Sequence, residues 1–152
     1  PDFPGLLLDY AETEFNLAEA KSRGYTVSGD VISHYNNGVK ASVTYWGAEV
    51  SQADTYLLQT NVAFATATGT TALQKIAVQK YLALYNRGWD AWIETRRLDY
   101  PVLTAPETAQ TAFPVRFTYP VNEQNVNVTN YNKAAEAIGG DKVTNKLFFD
   151  KH

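Results

Sequence analysis

From Leu8 onward, apolar residues recur at Leu8, Ala11, Phe15 and Ala18, at intervals of three, four and three, with Asp9, Glu12, Glu19 and Lys21 between them. That period predicts an amphipathic helix burying one stripe. Lys21 and Arg23 suit the negative end of its dipole, and Gly24 predicts its stop. Ser28 and Asp30 read as the start of a second helix carrying Ile32, Tyr35, Val39, Ser42 and Trp46, closed by Gly47. Two helices joined by a short loop predict an antiparallel hairpin. A third helix is expected from Ser51, where Asp54 completes a Ser-x-x-Asp box. The Ala/Thr-rich tract Asn61 to Thr71 reads as a loop. Thr70 or Thr71 then opens the strongest helix, with Leu73, Ile76, Ala77, Leu84, Gly88, Trp89 and Trp92 on related faces, running to about Leu98 before Pro101. Its apolar residues surround most of the circumference, which predicts burial on most sides.

After Tyr100 the pattern changes, and Pro101, Pro106, Pro114 and Pro120 limit regular elements to short ones. Val115, Phe117 and Tyr119 alternate with Arg116 and Thr118, which predicts a short strand at a sheet edge or in an isolated pairing. Asn130 is the expected cap of a short helix through Ile138, terminated by Gly139-Gly140. Lys142 to Phe149 reads as extended. The expected fold class is mainly α. Residues 1–100 form helix hairpins of the tetratricopeptide kind, although no repeat near 34 residues is evident. Residues 101–152 form an irregular Pro/Asn-rich region with short strands.

Composition narrows the function classes. With 152 residues and 45% of them hydrophobic, the chain is long enough to bury a sizeable core. It contains no Cys, so thiolate metal sites, disulfides and thiol nucleophiles are excluded, and the redox compartment is not legible. The formal charge is −3, and the longest basic run is Arg96-Arg97, which disfavours nucleic acid as a partner. No apolar run approaches the roughly 18 residues of a membrane helix. The chain opens Pro1-Asp2-Phe3-Pro4 and has no Met, so it is expected to be a processed chain or a piece of a longer one.

Candidate chemistry is sparse. Asp90 and Glu94 lie four apart and share a helix face, the kind of carboxylate pair a glycosidase uses. Arg87 and Arg97 stand three residues outside them, however, so a salt-bridged helix face is the preferred reading and no catalytic residue is assigned. Glu12 and Glu14 point in different directions on their helix. His34 and His152 are the only imidazoles, and His34 lacks a ligand partner at metal-binding spacing, so neither a metal nor a cofactor is expected. The nucleophile elbow, the phosphate-binding loop and the dinucleotide fingerprint are absent. Trp46, Trp89 and Trp92, with Tyr45, Tyr85 and Tyr100, offer flat faces on which a sugar ring could stack. Helical spacing favours a core role for Trp89 and Trp92, whereas Tyr45 and Trp46 sit at a helix end and are retained as candidate ligand contacts. Among the crowded asparagines Asn122, Asn125, Asn127, Asn130 and Asn132, the amides of Asn125 and Asn127 are candidates to meet hydroxyls, with turns and caps as the competing role. Asn127-Val128-Thr129 also matches a glycosylation acceptor.

Three stretches together resemble one family. The first is Leu17-Ala18-Glu19-Ala20 with Arg23-Gly24-Tyr25 and His34-Tyr35-Asn36-Asn37-Gly38-Val39-Lys40-Ala41-Ser42. The second runs from Ile76 through Tyr85 to Gly88-Trp89-Asp90-Ala91-Trp92, Glu94-Thr95-Arg96-Arg97 and Tyr100-Pro101. The third is Pro114-Val115-Arg116-Phe117-Thr118-Tyr119-Pro120, then Glu123, Asn127, Gly139-Gly140-Asp141, Thr144 and Leu147-Phe148-Phe149-Asp150-Lys151. These are similar to the C-terminal part of the SusD/RagB-type outer-membrane lipoproteins, which usually have Trp at Tyr81 and at Phe148-Phe149. The resemblance implies a mostly helical fold, a lipid anchor in an N-terminal region absent from this chain, and a location on the cell surface. It also implies capture of oligosaccharide without chemistry and delivery to a SusC-like TonB-dependent transporter, with the transporter and the missing N-terminal part as partners. Peptide capture by the same architecture, or a purely structural docking role, are the alternatives.

Overall fold

In the computed structural model, which describes residues 5–109 and 111–150, the first helix is α1 (Tyr10–Ser22). Asp9 caps it by accepting the Glu12 backbone N–H at 2.6 Å. Its stripe Ala11, Phe15 and Ala18 is buried, whereas Leu8, before the cap, is exposed. Asp30 caps α2 (Val31–Tyr45) by accepting the backbone N–H groups of Ile32 and Ser33, both at 3.0 Å. Tyr35 and Val39 turn inward from α2, and the first hairpin closes on them. Gly38 sits against the Phe15 ring, where a Cβ would stand 2.9 Å from Cζ. A side chain of any size there would separate the two helices.

Helix α3 (Val50–Leu57) begins one residue before the expected start. Its N-terminal box is formed by Glu49 and Gln52, whose Oε1 accepts the Glu49 N–H at 2.9 Å, and not by Ser51 and Asp54. Asp54 instead pairs with Lys40 at 2.6 Å. The tract 61–71 has no regular element but follows a chain of turns that drives Val62 into the core, where the Val62 carbonyl accepts the Tyr35 hydroxyl at 2.7 Å. Phe15, Tyr35 and Phe64 meet edge to face, with centroids 6.2 and 5.0 Å apart.

The long helix expected from Thr71 to Leu98 is two helices, α4 (Ala72–Ala83) and α5 (Gly88–Leu98). Thr71 caps the first, as its hydroxyl position predicts. The break lies at Asn86, with φ at 66°, a left-handed conformation that Asn tolerates better than most residues. Tyr85 and Arg87 N–H groups bond back to Leu82 and Leu84 carbonyls, and a new helix starts at Gly88. Because the axis is interrupted, Leu82, Tyr85 and Trp89 are exposed, contrary to the burial expected of a continuous helix.

The chain divides into two compact units, Pro1–Pro101 and Val102–His152. In the second, α6 (Val121–Val126) and α7 (Val128–Ala137) follow one another. The cap between them is Asn127 and not Asn130, which donates its amide to Asn127 Oδ1 at 2.7 Å. Helix α6 was not foreseen. No strand occurs among the described residues: Val115 and Arg116 N–H groups share one acceptor, the Val143 carbonyl, at 2.8 and 3.2 Å. One shared carbonyl is a point of pairing, and the flanking Pro114 and Pro120 remove donors that a ladder would need. Residues 142–149, expected to be extended, form turns beyond Gly139 and Gly140, both at positive φ. Asp141 organises this unit. It accepts from Arg116 Nη1 at 2.7 Å, from the Tyr119 N–H at 3.1 Å and from the Tyr131 hydroxyl at 3.3 Å.

Candidate functional site

The end of α2, the α4–α5 break and the segment before α1 converge on a cleft of about 350 Å³. The break places Tyr85 against the last residues of α2: Tyr45 and Trp46 centroids are 5.3 Å apart, Trp46 and Tyr85 5.2 Å. The three rings meet at 87° and 77°, so none lies flat on its neighbour. Trp89, one turn beyond the break, lines the same cleft and meets Trp92 at 5.7 Å. Tyr45, Trp46, Tyr85 and Trp89 keep 46, 43, 70 and 64% of their surfaces accessible. Aromatic side chains are ordinarily buried in a helical domain, and four of them half-exposed around one concavity form a platform with apolar faces and polar rims.

Arg87 forms the floor. Its Nη2 donates to Glu12 at 2.6 Å and to the Leu7 carbonyl at 3.2 Å, and its Nε donates to Asp90 at 2.9 Å. Nη1 stands 3.8 Å from Asp9, beyond hydrogen-bond reach. Burial works against the cation, but the bonds from Glu12 and Asp90 outweigh it and raise the Arg87 pKa. The side chain is thereby locked between α1 and α5, and it holds the break and its aromatic residues in place.

The second carboxylate of the Asp90/Glu94 pair is equally committed. Glu94 accepts from Arg97 at 2.6 Å and from the buried Lys80 at 2.8 Å. Arg97 reaches on to Glu19 through two hydrogen bonds of 2.5 Å, and Glu19 also receives Arg23 at 2.8 Å. Burial would raise the Glu19 pKa, yet Arg97 and Arg23 lower it to about 2. These carboxylates bind helices together through cations. Glu94 and Glu19 are thereby held as anions in ion pairs.

His34 Nδ1 lies 2.6 Å from Glu14 Oε2, and Nε2 lies 2.8 Å from the Ser28 carbonyl. An acceptor at each nitrogen favours the imidazolium, and the His34 pKa is raised by the Ser28 carbonyl and by Glu14. His152 lies outside the described residues. Among the described residues no cluster of three metal-ligating side chains occurs.

Of the residues singled out from the sequence, Tyr45 and Trp46 line the cleft, whereas Asn125 and Asn127 belong to the second unit. Asn125 is exposed, and Asn127 donates to Glu123 at 2.9 Å and accepts from Asn130. Trp89, expected in the core, is a cleft residue. The spacing of Arg87 to Asp90 is legible in the sequence, whereas its longer reach to Glu12 carries no signature at sequence spacing.

Comparison with known proteins gives a consistent picture. A SusD-like family model, described as starch-binding and associating with outer membrane, matches residues 1–120. No curated protein sequence matches the chain. Among solved structures, a SusD-like protein of Bacteroidetes superposes with a TM-score of 0.82 at 31% identity, covering 98% of this chain and 31% of that one. A chitin-binding protein matches at 28% identity and TM-score 0.76, covering 97% and 34%. A chitin-binding SusD homologue from Flavobacterium johnsoniae shares the fold at 23% identity and TM-score 0.76, covering 95% and 36%. The chain therefore spans about a third of the length of these structures.

Proposed function

Because the chain belongs to the SusD-like family of starch-binding proteins that associate with the outer membrane, we propose that it is the C-terminal portion of a surface protein that captures oligosaccharide without altering it. The captured sugar is delivered to a SusC-like TonB-dependent transporter, and the parent is held at the cell surface by a lipid anchor N-terminal to the residues described. Family membership over residues 1–120 is the observation that carries this reading. The engagement of Asp90 and Glu94 by Arg87, Lys80 and Arg97 supports binding over hydrolysis. Tyr45 and Trp46, on the exposed aromatic platform, are the ligand contacts we assign in the first unit; in the second, considered by itself, the candidate is the Asn125 amide, since that of Asn127 is already bonded to Glu123 and Asn130.

The test is calorimetric titration with starch-derived and chitin-derived oligosaccharides, with the sugars recovered and sized afterwards. Binding with unchanged chain length is expected. Shortened products would replace capture by hydrolysis, and binding of peptides with no binding of sugars would replace the ligand class. Delivery is checked separately by co-purification of the parent protein with a TonB-dependent transporter from outer membranes.

A further inference from the structure

The cleft has a charge as well as a shape. Asp9 and Asp90 line it against a single lining cation, Arg87, and that guanidinium is already bonded to a third carboxylate, Glu12, and to Asp90 itself. The lining therefore carries more negative than positive charge, and its one cation is bonded to carboxylates through Nη2 and Nε, while Nη1 is buried without a hydrogen-bond partner. A uronate or sulfate group entering the cleft would lose water while facing two carboxylates, and the one cation there is buried and already neutralised by Glu12 and Asp90. An uncharged sugar meets no such penalty. Its C–H faces fit the exposed surfaces of Trp46, Tyr85 and Trp89, and its hydroxyls are donors for the carboxylates at the rim.

We propose that the cleft between the end of α2 and the α4–α5 break is a sugar subsite that takes uncharged pyranose units and rejects anionic ones, with Trp46 and Tyr85 as its platform and the Asp9–Arg87–Asp90 cluster as its charge filter. This rests on the oligosaccharide-capture reading above and adds to it a location and a ligand class. The preference comes from the surplus of carboxylates and not from a specific hydrogen bond, so it responds to ionic strength. Rejection of an anionic sugar is strongest at low salt, where like charges are least screened.

Titration of the parent protein with maltohexaose, chitohexaose and xylohexaose, and with an oligogalacturonate of equal length at low and high salt, tests the proposal. At least one neutral sugar is expected to bind, and Trp46→Ala and Tyr85→Ser are each expected to weaken it by about tenfold, as loss of an aromatic anchor does. Oligogalacturonate is expected to bind at least about tenfold more weakly at low salt, with the gap closing at high salt and in Asp90→Asn. Because Tyr85 is among the most exposed of the platform residues, Tyr85→Ser keeps the test valid if Trp46→Ala disturbs the fold. Neutral binding left unchanged by both variants would overturn the subsite while leaving oligosaccharide capture intact. Oligogalacturonate binding as tightly as the neutral sugars would overturn the charge filter. Binding of none of the sugars would overturn the capture reading and the subsite together.

Discussion

The two units of this chain are held by different forces. In Pro1–Pro101 the centre of the interior is apolar, with Phe15, Tyr35, Val39, Val62 and Ile76 essentially inaccessible to water, and Lys80 is buried against it. Around that core, Lys80, Glu94, Arg97, Glu19 and Arg23 form a ring of ion pairs across α1, α4 and α5. In Val102–His152 the buried described residues are Arg116 and Asp150, both charged, and neither α6 nor α7 buries a residue. A short segment with three prolines and many asparagines has little apolar surface to bury, so its shape comes from directional bonds to a few polar groups. The difference is one of tolerance. An apolar core loses stability in proportion to the volume removed, whereas a polar hub fails when one partner is taken away.

The sharpest way to break the comparison is in the core. Phe15→Ala removes a fully buried ring that packs on Tyr35 and closes on Gly38, and it is expected to destabilise by about 4 kcal/mol. Denaturant unfolding measures the loss, and amide exchange in α1 and α2 should rise with it. Removal of Val126, exposed on α6, should cost no more than about 0.5 kcal/mol. A comparable loss at both positions would show that the second unit has an apolar core after all.

Next in size is the polar hub. Asp141→Ala leaves the Arg116 guanidinium buried without its carboxylate and strips acceptors from Tyr119 and Tyr131. Burial works to raise the Asp141 pKa, but Arg116 and the Tyr119 N–H hold it lower, so the group is an anion throughout the neutral range. Breaking a buried pair in this way costs about 3 kcal/mol. Exchange at residues 115–145 should rise accordingly. If Asp141→Asn, which keeps the acceptor but not the charge, is as damaging as alanine, the charge and not the hydrogen bonding is what holds the unit.

These residues also mark how far the chain could be read without its structure. The stripe Ala11, Phe15 and Ala18, the pair Tyr35 and Val39, and the stops at Gly24 and Gly47 depend on neighbours within a few residues, and the helical period reports them directly. The break at Asn86 was hidden because its flanking residues continue a helical pattern, and one left-handed residue is enough to interrupt it. Asp141 gathers Arg116, Tyr119 and Tyr131 from separate segments, which no local spacing reveals. The cleft was half legible. Tyr45 and Trp46 stand out at a helix end, but Tyr85 and Arg87 reach them only through the turn that the break creates, and Trp89 is exposed for the same reason.

The smallest effect expected is also the one that joins the two kinds of stabilisation inside the first unit. His34 is buried beside the apolar core, yet both its nitrogens face acceptors, and the groups around it are Glu14, the Ser28 carbonyl and Asp30, with Tyr10 and Asn37 also on Glu14. The folded pKa of His34 is raised above 6.5, so its contribution is fully present below 6.5 and is lost as pH rises through the folded value. Burial would raise the Glu14 pKa, but Tyr10 and His34 lower it below 4.5, so that contribution is present above 4.5 and is lost as pH falls through the folded value. The pair therefore supports the α1–α2 hairpin most strongly between those limits. Melting temperature across the pH range, with the imidazole followed by nuclear magnetic resonance, should show a decline on the alkaline side that tracks the His34 titration. In His34→Gln that alkaline decline should vanish, while the acid-side loss arising from Glu19 and its arginines persists. An unshifted imidazole titration would mean that folding does not favour the charged ring and that the His34–Glu14 pair adds no pH-dependent stability to the hairpin.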